Sequence, residues 1–264
     1  MSEEELEDAK EIERQQLLDK LLRIKKVSGG YAKSVGLING DVIIGIDGQF
    51  FNGTVEEFAT FFDVDEEDPA TANPSPVLTV KRDEVMFNLF CHQKIICKFE
   101  QIENPYSEPN EQVQQTLEMA KQSELSEYLI YHDNKKNAEL LLRSKSLLAM
   151  IIPPFWFLNQ KVPEAMLASV LGGAAAFAVH WILAALYYSI LCLYVGREQL
   201  NMAMSFMSYK KMIYMQPIAA ISELHAQKIA LSIDNELYFQ RPVEGLVQEK
   251  KRRKKKGPQK AIAA

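Results

Sequence analysis

From Met166 to Val195 the chain runs for about thirty residues, MLASVLGGAAAFAVHWILAALYYSILCLYV, without one formal charge. No other stretch limits the fold so severely. Apolar side chains fall on every side of a helix drawn through it, so no face suits water, and a bilayer core asks for only about twenty such residues. The run therefore predicts a transmembrane helix, with length to spare for tilt at about 1.5 Å per residue. Upstream, Leu147 to Leu158 is shorter and carries Pro153 and Pro154, which suits a kinked or shallow pass with Trp156 at an interface. Asn159 to Glu164 is a polar turn between the two, so residues 146–196 read as a helical hairpin; a single crossing with a surface segment before it is the alternative.

Charge gives the hairpin a direction. Lys135, Lys136, Arg143 and Lys145 precede it and Arg197, Lys210 and Lys211 follow, against Lys161 alone in the turn, which predicts both ends in the cytoplasm. The start, MSEEELEDAK, has neither the basic nor the apolar segment of a secretory signal. Residues 1–146 hold 28 acids and 16 bases, net −12; residues 147–264 hold 7 and 14, net +7, which together give the overall −5. An acidic front argues against nucleic acid as its partner. At the other end Lys250, Lys251, Arg252, Arg253, Lys254, Lys255 and Lys256 are successive cations, suited to anionic lipid at about 1 kcal/mol each near a surface. RNA or another subunit's acidic front are alternatives, as is a merely solvated tail.

Before the hairpin the signals are mixed. Ser2 and Glu5 form a capping box, and Leu6, Ala9, Ile12, Leu17, Leu21 and Leu22 predict an N-terminal helix over residues 1–22. From residue 23 to about 100 short strands follow: Ile24 to Val27, Val42 to Ile46, a turn at Asp47-Gly48, a helix at Val55 to Phe62, and a closing hairpin of Val77 to Arg82 and Val85 to Leu89. Asp63 to Pro76 is an acidic, Pro-rich loop without the Gly and Glu of a calcium loop. Cys91, His92 and Cys97 lack a second ligand pair for zinc, and three cysteines imply no disulfide framework.

The run Ser28 to Gly48, SGGYAKSVGLINGDVIIGIDG, resembles the middle of a bacterial PDZ domain, with its small-residue turn, Ala32, Gly36-Leu37, Gly40-Asp41 and β-branched strand. That resemblance covers about a quarter of the chain. It implies a small β-barrel or sandwich that binds peptides by strand addition, in a groove near Ile24, Ile44, Phe58 and Phe62. The carboxylate-binding loop expected upstream of Ile24 is missing, so the groove would take an internal segment or be filled by the N-terminal helix.

Residues 101–145 read as a linker and then a helix from Val113 to Arg143, interrupted near Tyr131 to Asn134. Within the long apolar run, Ala168, Gly172, Ala176, His180 and Ala184 fall four apart, a small-residue seam where another helix can approach. His180 on that seam has three readings: an interhelical hydrogen bond, axial ligation of a haem-like cofactor, or part of a proton path. Residues 197–249 read as an interfacial helix, a further helix and a short strand. The fold expected is thus α+β, a PDZ-like domain plus a transmembrane hairpin and a helical C-terminal region. No nucleophile elbow, phosphate loop, metal motif or carboxylate pair is evident, and no cofactor is expected. With the bacterial-type PDZ resemblance, the expected function is a membrane-anchored, non-enzymatic PDZ-like adaptor that recruits or positions a protein partner at the bacterial inner membrane, or alternatively an accessory subunit of a membrane enzyme or transport complex packing through the seam, with a second copy as a further partner.

Overall fold

The computed structural model describes residues 20–62, 75–104, 111–121, 125–160 and 162–248. The polybasic segment 250–256 and most of the acidic loop lie outside them. In chain order the elements are β1 (Lys20–Val27), α1 (Gly30–Ser34), β2 (Val42–Ile46), β3 (Gln49–Phe50), α2 (Val55–Thr60), β4 (Val77–Arg82), β5 (Val85–Phe90), β6 (Cys97–Glu103), α3 (Glu111–Ala120), β7 (Ser126–His132), β8 (Asn137–Leu142), α4 (Leu147–Ile151), α5 (Pro153–Asn159), α6 (Pro163–Val179), α7 (Trp181–Tyr209), β9 (Ile213–Ala220), α8 (Glu223–Ile233) and β10 (Tyr238–Phe239). Among the described residues ten strands form one sheet, ordered β10-β8-β7-β9-β5-β4-β2-β1-β6, with β3 beside β2. The described pairings are antiparallel except β10 on β8.

Local chemistry accounts for the front strands. β2 and β3 turn on Asp47 and Gly48, both at positive φ (50° and 73°), the geometry that an Asp-Gly hairpin favours. Gly40 stands at φ +98°, and Asp41 accepts the Ile38 N–H at 2.9 Å, closing the loop before β2. Thr54 and Glu57 make a reciprocal capping box at the start of α2.

The front strands do not close into a small barrel. β5 passes on to β9 through Asn88 opposite Ala219, and β9 pairs in turn with β7, so the sheet continues across the molecule. A separate PDZ-like β-barrel or sandwich over residues 23–100 is therefore not the architecture; the fold is α+β around one large mixed sheet. The main core crosses this junction, joining Ile24, Phe58 and Val80 in front to Ile130, Ile218 and Phe239 behind. Each such fully buried side chain contributes about 1.5–3 kcal/mol by leaving water.

Two helical expectations give way to strand. β1 already begins at Lys20, where the N-terminal helix was expected to continue, and the rest of that helix lies outside the described residues. The helix expected from Val113 to Arg143 ends at Ala120. Ser126 to His132 is rich in Tyr, Leu and Ile, and pairs on both sides, with β8 and β9. Asp133 holds the β7–β8 turn, accepting the Lys135 and Asn137 N–H groups, while Lys136 takes φ 61°.

The apolar run is also corrected. It is not one helix but two, α6 and α7, broken at His180, whose backbone is extended at φ −166° and ψ 139°. His180 caps α7, its Nδ1 accepting the Ile182 N–H at 3.2 Å. Among the described residues no helix is long and apolar enough to cross a membrane. The uncharged arms, about 22 Å each of α6 and α7, both fall short of a core of about 30 Å. The expected transmembrane hairpin, and the inner-membrane placement built on it, are not supported. Leu147 to Leu158 likewise divides, with Pro153 starting α5.

Candidate functional site

Two features stand out, a polar junction at the strand ends and an apolar helical arm. At the junction the register places Val77 opposite Phe90, so Ser75, just before β4, faces His92, just after β5. Ser75 Oγ lies 2.6 Å from His92 Nδ1. His92 Nε2 in turn lies 2.8 Å from Glu127 Oε2, delivered from β7 across the intervening β9. Arg143, beyond the end of β8, donates Nη1 to both Glu127 oxygens at 3.0 and 3.2 Å.

Since a carboxylate only accepts, the neutral tautomer of His92 that fits both contacts carries its proton on Nε2 and accepts from the Ser75 hydroxyl at Nδ1. Glu127 is 7% exposed and His92 about one-third, so the relay is buried at its carboxylate end and open at the other. Ser75 stands at φ +156°, a backbone region that L side chains rarely adopt.

Two cavities meet at this relay. One, of about 350 Å³, is lined by Ser75, Phe90, His92, Ser126, Glu127 and Arg143. The other, of about 270 Å³, shares His92, Glu127 and Arg143 and continues between Leu129, Leu200, Met204 and Tyr214. Burial pushes the Tyr214 phenol up, and the Glu127 charge adds to it. Burial also raises the Tyr31 phenol, helped by Cys91 and opposed by the His92 N–H, which donates to its oxygen at 2.6 Å. Cys91 is buried and its thiol is raised well above the ordinary range, first by burial, then by Asp47 and Glu127. Both phenols and this thiol stay neutral near pH 7. No cluster of three metal-ligating side chains is found among the described residues.

The arm, α4 to α7, stands on a second core of Leu129, Tyr131, Leu141, Trp156, Phe157 and Val195. Above it, apolar side chains face outward: Leu171 is 58% exposed, Phe177 68%, Val179 75%, Trp181 65% and Leu193 73%. Phe177 and Val179, two residues apart, point about 200° from one another around the helix, so no single face is involved. From Ala165 to Gly196 there is no Asp, Glu, Lys or Arg.

The residues singled out from sequence are distributed unevenly. Ile24 and Phe58 are in the main core, with Phe62 packed on it and its ring 5.1 Å from that of Phe58. Ile44 belongs to a different cluster, with Val113 and Leu117 of α3. These four do not form one groove, and the first two and Ile44 present no surface to a peptide. Of the seam, Gly172 and Ala176 are half-buried and Ala168 exposed. Gly172 is used within the arm: a Cβ there would strike the Tyr187 ring, whose hydroxyl donates to Ser169 O at 3.1 Å. His180 is the exposed turn of the hairpin and no longer a mid-helix group. The relay was missed in sequence because Ser75, His92 and Glu127 carry no local motif; the one signal was a cross-strand pairing of the β4–β5 hairpin.

No family model matches the chain, and neither the curated proteins nor the solved structures include a match. The PDZ resemblance of Ser28 to Gly48 is therefore limited to turn chemistry, and membership of that family is not supported.

Proposed function

We propose that this chain is a peripheral protein that docks on a lipid surface through its helical arm and carries the sheet body there. The arm dips into the apolar layer and returns on the same side, without crossing it. One observation carries this: the exposed apolar residues of α6 and α7 surround the hairpin. A protein partner covers one face, whereas hydrocarbon covers all of them. Arg197, where the uncharged stretch of α7 ends, and Lys145, just before α4, are exposed cations suited to anionic headgroups, and the cations from Lys250 to Lys256 would add to their attraction. The alternative of a subunit packing through the Ala168, Gly172, Ala176 seam has less support, since Tyr187 already occupies Gly172.

The chain carries its own reporter. Of its two tryptophans, Trp181 stands at the tip of the arm and Trp156 is buried at its foot. With vesicles of neutral and anionic lipid, the expected result is co-flotation, a blue-shifted Trp181 emission and quenching by brominated acyl chains that Trp181→Phe abolishes. A protein that stays with the aqueous fraction as discrete dimers, its Trp181 unquenched, would show that a second copy covers the arm instead.

A further inference from the structure

Beyond docking, we propose that Ser75, His92 and Glu127 act together as a nucleophilic relay, and that the chain hydrolyses a carboxylic ester with an apolar acyl group. Three observations converge. The hydrogen bonds run in order from hydroxyl to imidazole to a buried carboxylate, at 2.6 and 2.8 Å. Ser75 lines an open cavity at a strained φ of +156°, and strained backbone is concentrated at working sites. The adjoining cavity supplies an apolar wall from Leu129, Leu200 and Met204. Ser75 meets Nδ1 and Glu127 meets Nε2; either nitrogen serves as base once the other is held as N–H.

In the reaction Ser75 Oγ bonds to the ester carbonyl carbon as its proton passes to His92 Nδ1. Glu127 holds the resulting imidazolium through Nε2–H. Collapse of the tetrahedral species breaks the bond to the alcohol, which leaves with the proton from Nδ1. Water then attacks the acyl-serine, giving its proton to Nδ1, and release of the carboxylic acid restores the Ser75 hydroxyl. Arg143, the permanent cation lining the same cavity, is the group available to the developing oxyanion. Glu127, which never touches the ester, is a positioning residue.

The test uses the full chain, a fluorophosphonate probe and p-nitrophenyl butyrate beside the acetate. The expected result is stoichiometric labelling mapped to Ser75 by peptide mass spectrometry, with butyrate preferred. Ser75→Ala is expected to abolish both labelling and turnover, and His92→Asn to lower turnover about 10²–10⁴-fold with an unchanged circular dichroism spectrum and melting temperature. Glu127→Gln would be read from the pH profile of kcat with kcat and KM separated, where a positioning role lowers kcat and leaves KM in place. Labelling on another serine, or turnover that survives Ser75→Ala, would reduce the contact to an ordinary cross-strand hydrogen bond and overturn the proposal.

Discussion

Two of the arginine–carboxylate pairs among the described residues do opposite things. Arg82 and Asp41 are closed from water, at 13% and 0% side-chain exposure, and each guanidinium nitrogen is used. Arg82 donates Nε and Nη2 to Asp41, Nη2 also to Gly36 O, and Nη1 to Gln216 of β9, which stitches the rear of the sheet to the front. Arg143 meets Glu127 through Nη1 alone, at 3.0 and 3.2 Å, Arg143 is 40% exposed, His92 shares the carboxylate, and two cavities open on them. The difference teaches where stability and chemistry reside: a pair with every lone pair satisfied is structural, whereas one facing space has bonding capacity left for a ligand.

The contrast can be broken from the structural side first. Arg82→Ala leaves the Asp41 carboxylate buried without its partner, and is expected to cost about 3–5 kcal/mol in urea unfolding. Gly36→Ala follows: its φ is +74°, costing about 1–2 kcal/mol for any side chain, and a Cβ there also overlaps Gln216. Arg143→Ala should cost clearly less than Arg82→Ala by the same measurement, because Arg143 is itself 40% exposed and His92 Nε2 still holds the buried Glu127 carboxylate. A loss as large as that for Arg82 would erase the distinction.

Acid provides a gentler test. Burial, then the neighbouring Lys228, lowers the folded-state pKa of His225 below 6.5. Its Nδ1 is buried without a hydrogen-bond partner. The folded state therefore resists a proton that the unfolded chain accepts, so this stability is present above about pH 6.5 and is lost as the pH falls from there through the folded value. His225→Gln should flatten that part of the stability–pH curve. At the arm the effect on folding is smallest: Phe177→Ser with Val179→Ser should shift unfolding by under about 0.5 kcal/mol per site. Vesicle partitioning should fall about tenfold or more for Phe177 alone, since its burial is worth about 1.5–3 kcal/mol.

Which elements were legible follows the same division between local and distant. β2 ends where its β-branched run ends, Asp47-Gly48 turns as that dipeptide must, and β4 and β5 pair about a two-residue turn. These depend on neighbours in the chain. β7 and β8 were illegible as strands because Leu129, Leu140 and Leu141 read equally well at helical spacing, and only the company of β9, some eighty residues on, made the difference.

The sequence by itself determined the turns, the front hairpins and the existence of a long uncharged apolar stretch, because φ preferences and hydrophobicity belong to single residues and their neighbours. Tertiary structure decided that this stretch folds back at His180 and packs Gly172 on Tyr187. It also decided that a sheet of ten strands replaces a small domain, and that Ser75, His92 and Glu127 meet. Those outcomes depend on pairings between segments far apart in the chain, whose free energy appears only once the segments are in contact.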